Sequence, residues 1–210
     1  MARVRYSRTR DLVELILGYG TIIGIIWSPE HLQRILSPIA LVLTLSLVLA
    51  RRPSRDELGL GRHGFVASGR ILAAAIALAA VSIFAAARIG TLHALYKGDF
   101  AHISGYVLWT IYQQFLLQDF VMDRLLGILS SEKAAVAIAG ILFAAAHLPN
   151  LTLTAATLVW GIISCALFRR YRNLWGLGLA QGLLGLCFAV CVPDALHHHL
   201  RVGLGYLRYH

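Results

Sequence analysis

Residues 103–124 read ISGYVLWTIYQQFLLQDFVMDR. The run has the length of a bilayer crossing, for which a helix needs roughly 20 apolar residues. Yet three amides, Gln113, Gln114 and Gln118, stand in it. Polar groups at bilayer depth are expensive to bury, so they are the first place to look for function.

Working outward, similar apolar runs occupy 11–27, 35–50, 68–87, 133–148, 151–168 and 173–192. With 103–124 they predict seven spans; six or eight fit almost as well, because several runs are short for a full crossing. The whole chain has 58% hydrophobic and only 14% charged residues, with a mean hydropathy of +0.70. That charge content is far below the roughly 25% of a soluble domain. The fold class expected is therefore all-α, a polytopic transmembrane helical bundle. Residues 1–210 read as a single integral-membrane domain, with a C-terminal tail at 193–210.

Charge sets the orientation. With the N-terminus in the cytoplasm, fourteen of the nineteen Lys and Arg fall on the cytoplasmic side, among them Arg3, Arg5, Arg51, Arg62 and Arg169. Arg34, Arg88, Lys97, Arg201 and Arg208 fall on the other. The positive-inside rule then puts the loop from Arg51 to Gly64 in the cytoplasm and the tail outside. This asymmetry accounts for most of the formal charge of +9, and basic loops of this kind meet anionic lipid headgroups; nucleic acid is not implied. The expected location is a bacterial inner (plasma) membrane. The basic start, Met1 to Arg8, precedes an apolar run without a small-residue cleavage pattern and reads as an uncleaved first span. Cys165, Cys187 and Cys191 sit inside apolar runs as buried small hydrophobes, with neither disulfide nor zinc spacing.

Taken singly, the polar features have plain structural readings. A glutamine pair between transmembrane helices acts as packing glue, worth about 0.6 kcal/mol per contact. His147, just before Leu148-Pro149-Asn150, suits a helix-end histidine bonding a free carbonyl. Gln181 with Gly178, Gly182 and Gly185 suits a close-packed helix face. Their convergence is the argument for a site. On the topology above, Gln113, Gln114 and Gln181 all lie about 15 Å from the outer end of their spans at 1.5 Å per residue. His147 closes a span that runs outward, so three helices bring polar groups into the outer half of one bundle.

The loop Asp56-Glu57-Leu58-Gly59-Leu60-Gly61-Arg62, the Gln113-Gln114-x-x-x-Gln118 cluster, Phe143-x-x-x-His147 and the span entered through Asn173-Leu174-Trp175 resemble the CPBP family of intramembrane proteases. That family includes CAAX prenyl endopeptidases and bacteriocin-processing enzymes, and the resemblance covers about residues 50–190. Its motifs are Glu-Glu-x-x-x-Arg, Phe-x-x-x-His, and a His with Asn or Asp four residues later. Here the glutamates fall on Gln113 and Gln114, the arginine on Gln118, the second motif on Phe143 and His147, and the third on Gln181 and Gly185. Only the second motif is intact.

The resemblance implies an intramembrane endopeptidase that cleaves membrane-anchored or lipid-modified protein segments, with the bilayer and such a segment as its partners. The catalytic residues implied are His147, Gln113, Gln114, Gln118 and Gln181, with Phe143 against the substrate. In the family a glutamate activates water. An amide cannot take up that proton, though it can accept and donate hydrogen bonds. His147 becomes the candidate base, and the amides become candidate donors to the oxyanion. At an α-helical 100° per residue, Asp119 and Asp123 lie about 120° and 80° from Gln113, off its face. Arg124 shares that face about three turns deeper. A cysteine nucleophile, Cys187 or Cys191, is a further route.

No cofactor is called for: a divalent metal is compatible with the chemistry, but no ligand set supports one. The tail histidines, His197, His198 and His199, read as solvated or headgroup-level, since adjacent residues present no tetrahedral site unless the backbone is shaped for it. The tail also resembles those of CPBP members that process proteins with C-terminal sorting anchors. The other readings are a catalytically inactive relative that binds or presents such segments, and a small transporter, disfavoured by spans that lack paired charges or broken helices in matching halves.

Overall fold

A computed structural model describes residues 7–61, 64–96 and 98–208. Arg3, Arg5, Arg62 and Lys97, counted in the charge asymmetry, lie outside them. Every described element is helical: α1 (Arg8–Ile26), α2 (Glu30–Leu49), α3 (Phe65–Ile89), α4 (Phe100–Phe115), a π-helical stretch Leu116–Met122, α5 (Asp123–Ile128), α6 (Glu132–Ala145), α7 (Leu151–Tyr171), α8 (Leu174–Cys191), and in the tail α9 (Asp194–His197), a 3-10 turn His198–Leu200 and α10 (Gly203–Leu207).

Each of the seven apolar runs is a helix, and polar residues at the borders start most of them. Ser7, Asp99, Ser131, Asn150 and Asn173 each accept a backbone N–H three residues on, satisfying a donor that the first turn leaves free. Four helices, α2, α3, α7 and α8, are long and apolar enough to cross a membrane. The other three expected spans fall short for physical reasons. α6 has only 14 residues, α1 carries Arg10, Asp11 and Glu14, and α4 gives way to the π stretch.

The bundle is apolar on its outside. Ile76, Val81 and Phe84 on α3 and Ile35, Ile39 and Val42 on α2 are more than half exposed, a surface that lipid, not water, can cover. Inside, one core joins Leu15, Leu117, Phe120, Leu125, Ala139 and Phe143, and another joins Ile71, Ala75, Phe168, Leu177 and Ala180. Small residues bring the backbones together. A Cβ on Gly178 would lie 2.8 Å from the Cα of Ile111, and one on Gly161 would lie 3.1 Å from the Cα of Gly140.

Charge locks the end of the bundle that carries Arg51. Arg124 is fully buried; its guanidinium bonds Glu14 at 3.0 Å and the carbonyl oxygens of Leu47 and Asp119 at 2.9 and 2.8 Å. Arg51 reaches Asp11 at 2.7 Å, Asp123 at 3.2 Å and Glu14 as well. Two sequence expectations are corrected here. The helices do carry paired charges, but Glu14 and Arg124 are 110 positions apart. And the angles from Gln113 to Asp119, Asp123 and Arg124 assumed an unbroken α-helix, whereas the π stretch widens the turn between them.

Candidate functional site

Two of the three motif segments, α4 with its π continuation and α8, place their amides in one hydrogen-bonded chain. Gln118 Nε2 donates to Gln114 Oε1 at 3.0 Å, and Gln114 Nε2 donates to Gln181 Oε1 at 2.6 Å. Gln181 Nε2 in turn donates to Gln113 Oε1 at 2.6 Å. Trp160 on α7 supplies a second donor to Gln181 Oε1 at 3.0 Å. Donors and acceptors alternate along the chain, so the amide orientations are mutually fixed. It ends on Gln113, whose NH2 remains as the terminal donor.

Gln113, Gln181 and Trp160 border a cavity of about 870 Å³ lined mostly by apolar side chains from α1, α3, α4, α6, α7 and α8. Gln113, Gln181, Trp160, Phe143 and His147 are among its lining, and so are Leu200 and Val202 of the tail. Gln114, Gln118 and Ser164 form the layer behind. Gln118, expected at the site, is not on the cavity wall. Its Nε2 also points at Ser164 Oγ, 3.4 Å away, while its Oε1 is buried without a hydrogen-bond partner. No carboxylate is present among the described lining residues.

His147 shares the cavity but not the amide chain. Its Nδ1 lies 2.7 Å from the carbonyl oxygen of Phe143, and a carbonyl only accepts, so Nδ1 carries the proton. In the neutral ring Nε2 then keeps its lone pair, the form a general base requires. Phe143 packs edge-on against the imidazole, with ring centroids 5.0 Å apart. The structural reading of His147, a helix-end histidine bonding a free carbonyl, is thus satisfied by the same bond that orients it.

The glycine face of α8 also has its expected packing role. A Cβ on Gly185, where the third motif of the family has Asn or Asp, would sit 2.0 Å from Tyr106 Oη. Tyr106 therefore fills the room that a longer side chain would need. Cys187 and Cys191 line the cavity with their sulfurs 3.7 Å apart, whereas Cys165 is buried elsewhere. Sequence reasoning missed Trp160 altogether. An indole in an apolar run gives no signal until its partner across the bundle is known.

The site offers no cluster of three metal-ligating side chains; among the described residues such a group occurs at the tail. The expectation of solvated tail histidines is corrected for His197, which is only 1% exposed. The tail folds back because Asn150 Nδ2 donates to the carbonyls of His197 and Arg201 at 2.7 and 3.0 Å.

Residues 100–187 match the family described as Rce1-like: Type II CAAX prenyl endopeptidase Rce1-like. This bears out the CPBP resemblance over a segment shorter than the 50–190 expected, and one that holds every motif residue from Gln113 to Gly185. No curated protein and no solved structure matches the chain.

Proposed function

We propose that the protein is an intramembrane endopeptidase cleaving membrane-anchored or lipid-modified protein segments, C-terminal sorting anchors among the candidates, and that it works with amides where its relatives have carboxylates. The observation that carries this reading is the 2.7 Å contact of His147 Nδ1 with the Phe143 carbonyl, which leaves Nε2 for chemistry on a cavity shared with Gln113 and Gln181. In this scheme Nε2 takes a proton from a water as that water attacks the scissile carbonyl. The oxyanion accepts from the Gln113 amide, and the imidazolium returns its proton to the departing amine, so charge and protons balance. Gln114, Gln118 and Trp160 are positioning residues that fix Gln181 and Gln113, while Phe143 packs the imidazole and the substrate. In the same scheme the seven apolar runs, from 11–27 to 173–192, are the spans, the short ones accommodated by local thinning of the bilayer, with a cytoplasmic N-terminus and the tail outside. Cysteines introduced at Ser54 and Ala195 are then to label from opposite sides.

A second reading has its own observation. The described cavity wall has no carboxylate, and a protein that binds anchored segments without cutting them needs none. Purified protein in lipid, incubated with a membrane-anchored candidate substrate, separates the two. Cleavage by the wild type that His147→Ala abolishes supports the peptidase. Tight binding without cleavage from pH 5 to 9 supports the binding protein.

A further inference from the structure

The tail carries a second polar centre that the proposed peptidase chemistry does not use. His93, in the connection between α3 and α4, meets Asp194 and His197 of α9, and one ligand atom from each lies within 4.8 Å of the others. His197 Nε2 stands 3.2 Å from Asp194 Oδ1. The ring is buried, so this nitrogen faces protein groups and not solvent. A tetrahedral zinc ion with bonds of about 2.0–2.1 Å sets its ligand atoms about 3.3 Å apart. One pair already has that spacing, and the third ligand atom is close enough to join by a small inward shift.

The surroundings have the form of an outer ligand shell. His93 has one ring nitrogen on each of two carbonyl oxygens, Nδ1 to Ala94 at 3.1 Å and Nε2 to Val192 at 2.9 Å. An imidazolium donates to both, whereas a neutral ring has only one N–H. Coordination through Nε2 exchanges the Val192 carbonyl for the ion, while Nδ1–H stays on Ala94, the carbonyl-held arrangement usual for a metal-bound histidine. At His197 it gives up the 3.3 Å contact from Leu200 N to Nδ1. His199 Nδ1 sits 2.9 Å from Asp194 Oδ1 and is stacked on Tyr96 with ring centroids 4.1 Å apart, placing it to orient the carboxylate. The backbone is bent to gather these groups. His198, His199 and Leu200 are three successive left-handed residues, with φ of 47°, 52° and 59°, a conformation side chains other than glycine adopt reluctantly.

We propose that His93, Asp194 and His197 form a binding site for a divalent transition metal of the zinc class, and that the ion clamps the tail to the α3–α4 connection. The same tail segment carries Leu200 and Val202 in the cavity wall, so the ion braces one side of the chamber without touching the glutamine–histidine site. This inference stands on the tail geometry alone and does not depend on the peptidase reading.

The test uses the full chain in detergent micelles, stripped with EDTA and titrated with zinc chloride by calorimetry. Wild type is expected to bind one ion per chain and to gain thermal stability with it. His93→Ala, in which the partly exposed imidazole is lost, should fold like the EDTA-treated wild type yet lose both effects. His199→Ala should weaken binding roughly 10–100-fold, the usual penalty for losing an outer-shell partner. His102→Ala removes the exposed His102–Asp99 pair and should change nothing. The proposal is overturned if wild type binds no zinc, if His93→Ala binds it as tightly as wild type, or if His102→Ala removes the binding.

Discussion

Gln114→Glu and Gln113→Glu differ by one atom each from the wild type, and the amide chain assigns them opposite consequences. Gln114 donates through Nε2 to Gln181 Oε1 at 2.6 Å, so a carboxylate there faces an acceptor with an acceptor. Gln181 cannot answer by turning over, because its Oε1 also receives the Trp160 indole at 3.0 Å, and a flip would set two donors together. Gln114 is also fully buried, which keeps water from repairing the mismatch. Leaving one such group unsatisfied costs about 1–3 kcal/mol, more when it is charged. Gln113, by contrast, already accepts from Gln181 Nε2 at 2.6 Å and borders the cavity, so a carboxylate keeps its bond. Gln114→Glu is therefore expected to be less stable than Gln113→Glu by about 1–3 kcal/mol, read from unfolding of the purified protein in mixed micelles at pH 8. A carboxylic acid O–H can donate where a carboxylate cannot, so proton uptake repairs the contact and the deficit should shrink at pH 5. The double variant Gln114→Glu/Gln181→His, which supplies an imidazole N–H, should recover most of the loss. Equal stability of the two single variants at pH 8, or a double variant no better than Gln114→Glu, would refute the donor–acceptor order described here.

Three further outcomes are expected in the same unfolding assay. Gly185→Ala drives a methyl against Tyr106 Oη, 2.0 Å from the ideal Cβ position, and should cost about 1–3 kcal/mol; adding Tyr106→Phe leaves the nearest ring atoms at 3.0 and 3.2 Å and should return much of it. Arg124→Met breaks a buried ion pair, for which about 3–5 kcal/mol is usual, and the lower end is expected because Arg10 and Arg51 still hold Glu14. The Glu132 carboxyl is held below its ordinary range by a hydrogen bond from Arg169 at 2.9 Å. A carboxyl lowered on folding stabilises above its unfolded pKa of about 4.3 and loses that contribution as pH falls through the folded value. Since the pair is solvent-exposed, Glu132→Gln should cost under about 1 kcal/mol at pH 7 and flatten only the acid limb.

What could be read from the sequence follows from how local each signal is. The seven helices were legible because an apolar run and its capping residue, such as Asn173 before Leu174, lie within a few positions of one another. The amide chain was legible because several glutamines, each costly in an apolar run, converge on one half of the bundle. Contacts between remote positions were not. Glu14 gives no sign that Arg124 will neutralise it, and Trp160 looks like any apolar aromatic until Gln181 is placed opposite. The π stretch Leu116–Met122 escaped for a different reason, since its side chains are those of an ordinary buried helix, and only the hydrogen-bond register distinguishes it. His197 was misjudged as solvated because its burial is decided by Asn150, 47 residues away.

The amides at positions 114 and 181 are best understood as one change rather than two. In the motifs that the chain resembles, a carboxylate and an imidazole occupy these places, and an imidazole N–H can serve a carboxylate. Here Gln114 donates and Gln181 accepts, so the pair is still matched but neutral, with its direction reversed. Such a pair holds α4 to α8 without a charge at bilayer depth, where an unpaired one is expensive. Gln118 lies where the family arginine would, and it shows the limit of this compensation. Its Oε1 is left without a donor although its Nε2 serves both Gln114 and Ser164. A cavity retained only for packing would be cheaper lined with leucine, because apolar groups leave nothing to satisfy. The Gln113 NH2 and the His147 Nε2 instead keep hydrogen-bonding capacity at a chamber lined mostly by apolar side chains. On the peptidase reading proposed above, the carbonyl oxygens of an extended peptide segment would meet the Gln113 NH2 and its apolar side chains the walls.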